Sequence, residues 1–138
     1  MDTSINVKWN GKMAFETNLQ GHSLLMDAGA ESGGEDSGVR PKSLLLASLA
    51  GCTGMDVVSM LAKMRVDIED FELIIEADLE KEHPKYYNRI NVVYQFKGKD
   101  LPYEKLKKAV DMSFDKYCGV IGLFKKAIPV TNEIRIVD

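Results

Sequence analysis

The run that opens Pro41-Lys42-Ser43-Leu44-Leu45-Leu46-Ala47-Ser48-Leu49-Ala50 and continues Gly51-Cys52-Thr53-Gly54-Met55-Asp56 constrains this chain most. It is the only long apolar stretch, and Ser48, Thr53 and Asp56 interrupt it in a way that membrane-spanning runs avoid. Pro41 suits the first turn of a helix. The spacing therefore predicts a helix whose apolar run extends from Ser43 to about Met64, central and buried. Its later part reads as amphipathic, with Met55, Val58, Leu61 and Ala62 inward and Lys63 and Arg65 outward. Gly51 and Gly54 inside a helix cost roughly 1 kcal/mol each relative to Ala, and close approach of another helix is the simplest compensation.

Alternation surrounds this helix. Ile5, Val7 and Trp9, then Met13 and Phe15 beyond an Asn10-Gly11 turn, then Ser23-Leu24-Leu25-Met26 after Gln20-Gly21, predict a three-strand meander. A Gly- and Ser-rich segment, Ala28 to Arg40, reads as a mobile loop. After the helix, Phe71, Leu73, Ile75, Ala77 and Leu79 alternate with acids, and Ile90, Val92, Tyr94 and Phe96 repeat the pattern past a His83-Pro84 turn: two strands with one wet face. Leu106, Ala109, Val110 and Phe114 stripe a second helix running to about Lys116. Cys118-Gly119 breaks it, Val120, Ile121, Leu123 and Phe124 suggest a short further helix, and Val130, Asn132, Ile134 and Ile136 a closing strand. This order implies an α+β fold in one domain spanning residues 1–138.

Of the 138 residues 45% are hydrophobic and 28% charged, enough for one real core, and the formal charge of −3 offers no basic field for nucleic acid. Met1-Asp2-Thr3-Ser4 begins no signal segment, so a soluble, cytoplasmic protein without a membrane role is expected. His22 and His83 lie by turns and far from the cysteines, so no metal or cofactor is expected. Met55, Met60 and Met64 read as packing, as do Trp9, Tyr86, Tyr87 and Tyr94.

Two cysteines are the main functional lead. Cys52 lies on the long helix, where a thiol is more often inert packing; Cys118 lies at an expected helix start, where backbone N–H groups and the dipole lower a thiol pKa. Ser48, Cys52, Met55 and Ser59 share one helix face, beside a strip of small residues, Ala47, Gly51 and Gly54, with Val58. If the second helix packs on that strip, Cys118 comes within reach of Cys52. Packing roles for both remain the alternative reading.

The stretch Gly38-Val39-Arg40-Pro41-Lys42-Ser43-Leu44 through Leu49-Ala50-Gly51-Cys52-Thr53-Gly54-Met55-Asp56 resembles the Cys-bearing helix of the OsmC/Ohr family, the osmotically inducible and organic hydroperoxide resistance proteins. With Tyr117-Cys118 matching a second Tyr-Cys segment, the resemblance spans nearly the whole chain and is nearer the OsmC-like branch. It implies an intertwined homodimer of antiparallel strands wrapped around two central helices, with active sites between subunits. It further implies a thiol peroxidase in oxidative-stress defence that acts on a small organic hydroperoxide, with Cys52 peroxidatic and Cys118 resolving, reset by a dithiol reductant. Family peroxidases place an arginine on an N-terminal strand and a glutamate after the helix-start proline. Here no arginine precedes Arg40, and Lys42-Ser43 follow Pro41. Lys12, Arg40 and Lys42 are the remaining candidates for an activating charge, with Asp56 a possible acidic neighbour. The alternative function is a dimer that binds a small apolar ligand without efficient peroxidase activity.

Overall fold

Three short strands, β1 (Val7–Trp9), β2 (Phe15–Leu19) and β3 (His22–Met26), form the expected antiparallel meander. Gln20 (φ 49°) and Gly21 (φ 84°) both turn left-handed between the paired Leu19 and His22, the backbone of a two-residue hairpin turn. The first connection is longer than Asn10-Gly11 suggests. Trp9 pairs with Phe15, and Asn10 N–H donates to the Ala14 carbonyl at 2.8 Å. Met13 therefore belongs to the turn rather than to a strand.

The computed structural model describes residues 1–138, which divide into two compact units, Met1–Leu46 and Ala47–Asp138. In the first, the loop expected to be mobile is organised around Asp27, which is 3% exposed. Its carboxylate accepts from the N–H groups of Ala28 (2.7 Å), Glu35 (3.1 Å) and Ser37 (3.1 Å) and from the Ser37 hydroxyl (2.6 Å). Those donors, the Ser37 hydroxyl foremost, hold the Asp27 carboxyl well below the usual carboxylate range. A Cβ at Gly34 would run into the Ala28 carbonyl, so the chain passes too close here for any other residue. Asp27 N–H donates to Val39 O, and Val39 N–H to Leu25 O, which returns the loop to the sheet.

Helix α1 (Pro41–Lys63) begins where Pro41 indicates. It is long and apolar enough to cross a membrane, with mean hydropathy 1.7, a test that core helices of soluble proteins also pass. Its buried face differs from expectation. Leu49, Thr53, Val57 and Leu61, at four-residue spacing, are buried with Gly54, whereas Met55 is 75% exposed and Val58 49%. The four-residue row, not the Met55/Val58 row, is the core stripe, because residues four apart stack on one helix face. The compensation at Gly54 also differs: a Cβ there would meet Leu73 Cδ1 at 2.7 Å, so a strand, not a helix, presses on it.

In the second unit β4 (Asp70–Leu79) pairs antiparallel with β5 (Tyr87–Lys97), placing Phe71 opposite Phe96, Leu73 opposite Tyr94 and Ile75 opposite Val92. Phe71 and Phe96 stack with ring centroids 4.5 Å apart. The closing strand β6 (Val130–Val137) lies on the other side of β5 and runs parallel to it, a departure from the expected all-antiparallel arrangement. A parallel neighbour requires a crossover. The chain supplies it through α2 (Tyr103–Met112) and α3 (Gly119–Lys125). Leu106, Ala109, Val110 and Phe114 are buried as the stripe predicts, joined by Ser113. Between α2 and α3 the residues Ser113–Tyr117 form a π-helical turn, closed by the Cys118 N–H donating to Ser113 O at 2.9 Å.

Candidate active site

Cys118 caps the N-terminus of α3, and its sulfur accepts from the Ile121 N–H at 3.4 Å. The residue is 4% exposed, and its thiol lies close enough to Cys52 for the two to interact. Both cysteines are free thiols. The fold therefore joins two residues that lie far apart in sequence. Cys52, on α1, is half-buried.

The electrostatics of Cys118 reverse the expectation from its helix-start position. Burial first, and then the neighbouring Cys52, push its thiol up to about 11, although the Ile121 N–H pulls the other way. The amides of Ile121 and Val120 at the start of a short helix do not offset the removal of a thiolate from water. Cys118 thus stays protonated at neutral pH.

Next to Cys52 runs a chain of hydroxyls. Ser113 donates to Asp56 Oδ2 at 2.8 Å. Thr53 Oγ1 lies 2.7 Å from Ser113 Oγ and 2.7 Å from the Tyr94 hydroxyl. Each hydroxyl has one proton to give. With the Ser113 proton on Asp56, Thr53 must donate to Ser113, and Tyr94 to Thr53. Tyr94, Thr53 and Ser113 are all 0% exposed, and burial pushes the Tyr94 hydroxyl up to about 12. The chain ties together α1, β5 and the π-helical turn, and no buried side-chain polar atom lacks a partner.

Thr53, Ser113 and Tyr94 escape a reading of the sequence alone. The signal was present: Ser113 follows Val110 by three and Thr53 follows Leu49 by four, so each places a hydroxyl on a core stripe, where a partner is obligatory. Tyr94, read as packing, both packs and donates. Asp56 serves this chain as its terminal acceptor.

The candidate cations have other partners. Lys12 lies 3.5 Å from Glu35, and Arg40 Nη1 is 2.8 Å from Asp36 Oδ1 and also bonds Gly38 O. His22 and His83 are exposed, and no group of three or more His, Cys, Asp or Glu is placed to hold a metal. Flanking Cys52, an apolar groove of about 530 Å³ opens between α1 and β4, lined by Ala50, Gly51, Gly54, Met55, Val58, Ser59, Phe71 and Leu73. A Cβ at Gly51 would meet nothing within 4 Å, so that glycine leaves the groove open.

A mixed α+β chain that sets a helix-borne cysteine against a second cysteine at a helix cap defines a class, the α+β proteins with paired thiols. The family model described as OsmC-like protein matches residues 34–133, and the chain belongs to that family. It is 34% identical over 132 residues to Protein YhfA of Escherichia coli strain K12, covering 95% of this chain and 96% of that protein. A hypothetical protein from Aquifex aeolicus, 26% identical, superposes with a TM-score of 0.84 over 100% of both chains. The organic hydroperoxide resistance protein OhrB of Bacillus subtilis shares the fold, with a TM-score of 0.63 at 20% identity over 96% of this chain and 98% of that one.

Proposed function

We propose that this chain is a single-domain thiol peroxidase that reduces small organic hydroperoxides in the cytoplasm. The observation that carries the reading is the nearness of a half-exposed Cys52 to a buried Cys118 beside an apolar groove. The Cys52 thiolate attacks the O–O bond, which breaks; Cys52 becomes a sulfenic acid, and the departing alkoxide takes up a proton to leave as an alcohol. The Cys118 thiol then condenses with the sulfenic acid, forming a disulfide and releasing water. A dithiol reductant returns both sulfurs to thiols. The groove favours alkyl hydroperoxides over hydrogen peroxide, since apolar walls hold an alkyl group and leave a fully polar substrate unpaid for its lost water.

A homodimer is part of this reading. Trp9 (62%), Met13 (48%) and Phe15 (42%) in the first unit, and Met55 (75%) in the second, are unusually exposed for large apolar residues. The same groove supports a second reading, a dimer that binds a small apolar ligand without turning it over. Free-thiol counts after adding cumene hydroperoxide separate the two. Rapid loss of both thiols in the parent, a trapped sulfenic acid in Cys118→Ser and no reaction in Cys52→Ser support the peroxidase. Consumption no faster than by free cysteine sinks it.

A further inference from the structure

Ser113 touches both arms of the thiol pair. Its hydroxyl is held by Thr53, the neighbour of Cys52, and donates to Asp56 one turn further along α1; its carbonyl accepts the Cys118 N–H. All of this occurs at a residue that is 0% exposed, within a π-helical turn, a geometry found often at functional sites. We propose that Ser113 is the positioning residue of the thiol pair, tethering the π-helical turn to the cysteine-bearing helix so that the Cys52 and Cys118 sulfurs are held ready to join.

The chemistry gives the tether its importance. Two thiols join readily only when their sulfurs approach about 2 Å with a side-chain dihedral near 90°, so small displacements of either backbone weaken the bond. An intramolecular disulfide competes with external thiols through the effective concentration of one sulfur at the other, which falls steeply with misplacement. A Ser113→Ala variant keeps the carbonyl bond to Cys118 and removes only the link to α1. Thr53 then loses its acceptor, and the π-helical turn is free to shift against the helix. Ser113 bonds both cysteine-bearing segments, α1 through its hydroxyl and the Cys118 segment through its carbonyl.

The proposal rests on the reading that these thiols are redox-active, but its test does not require peroxidase activity. The reduced parent, Ser113→Ala, Thr53→Val and Thr53→Ser are equilibrated in buffers of oxidised and reduced glutathione. The glutathione S–S bond breaks, a Cys52–Cys118 bond forms, and two glutathione thiols leave with the protons. Positioning predicts that Ser113→Ala makes the protein disulfide about tenfold less stable, a rise of about 30 mV in its potential, and that Thr53→Val, which leaves the Ser113–Asp56 bond in place, raises it by less. Thr53→Ser, which keeps the hydroxyl, returns close to the parent value, so the comparison stands even if Ser113→Ala folds poorly. Unchanged potentials in Ser113→Ala and Thr53→Val overturn the proposal, as does a parent that forms no such disulfide. A parent that forms the disulfide, loses it more easily in Ser113→Ala and yet ignores hydroperoxides supports the positioning role and sinks the peroxidase.

Discussion

The two units of this chain are held by different physics. In Ala47–Asp138 the core is apolar: Leu49, Val57, Ile90, Val92, Tyr94, Leu106 and Ile121 are all 0% exposed. In Met1–Leu46 the only buried residues are Thr17, Asp27 and Gly29. Thr17 donates to Asn6 O at 2.7 Å, and Asp27 gathers four donors. The first unit is thus organised by hydrogen bonds, which contribute only about 0.5–1.5 kcal/mol each, and leaves its apolar side chains uncovered. The second gains the larger and less directional hydrophobic term. The contrast shows that an ordered segment need not have an apolar core of its own.

The largest effect should come from the second unit. Leu106→Ala is expected to cost about 2–5 kcal/mol, read from urea unfolding, because the cavity it leaves cannot fill. A loss under about 1 kcal/mol means the apolar core is not what carries this unit. In the first unit Asp27→Asn places an N–H₂ among donors and should release the Glu35 and Ser37 amides to rapid hydrogen exchange, while the slow amides of β5 keep their protection. Equal acceleration in both units would erase the distinction.

The units should also fail at opposite ends of the pH range. Asp27 is lowered in the fold, so its contribution is complete above the unfolded carboxylate value near 3.9 and is lost as pH falls through the folded one. Cys118 is raised from 9.0 to about 11, so between those values the folded state binds more protons than the unfolded one, and stability falls as pH rises. Amide exchange at Glu35 below pH 4 and urea midpoints between pH 9 and 11, with Cys118→Ser reducing the alkaline slope and the raised Tyr94 supplying what remains above pH 10, check both signs. Smallest of all, Trp9→Ala at a 62% exposed site should change stability by no more than about 0.5 kcal/mol. A larger loss that grows with protein concentration identifies a second copy covering that face.

Much of the second unit was legible in the sequence because its signals are periodic. Leu106, Ala109, Val110 and Phe114 repeat at helical spacing and are buried, and Phe71, Leu73, Ile75 and Ala77 alternate with exposed acids and are half-buried, so one-dimensional pattern and inner face largely coincide. On α1 apolar residues occupy several faces, so periodicity does not single one out, and Met55, on the expected inner row, is 75% exposed. Asp27 was overlooked because its donors lie up to ten residues downstream and three of the four are backbone groups, which carry no residue signature. The sequence marks out Cys52 and Cys118 by their settings, one on the long helix and one at a helix start. The hydroxyls beside them carry no such mark, because a Thr–Tyr–Ser chain is assembled from three elements and has no sequence spacing of its own.

The π-helical turn works as an aiming device. Each α-helical residue advances about 100° around the axis, so the extra residue accommodated in Ser113–Tyr117 sets the chain back by about that much before it reaches Cys118. Deleting one residue of the turn would let α2 continue as a regular helix, a locally more comfortable path. It would also deliver the second sulfur to a different side of the helix from the one on which the first is waiting, leaving both thiols intact and unable to meet.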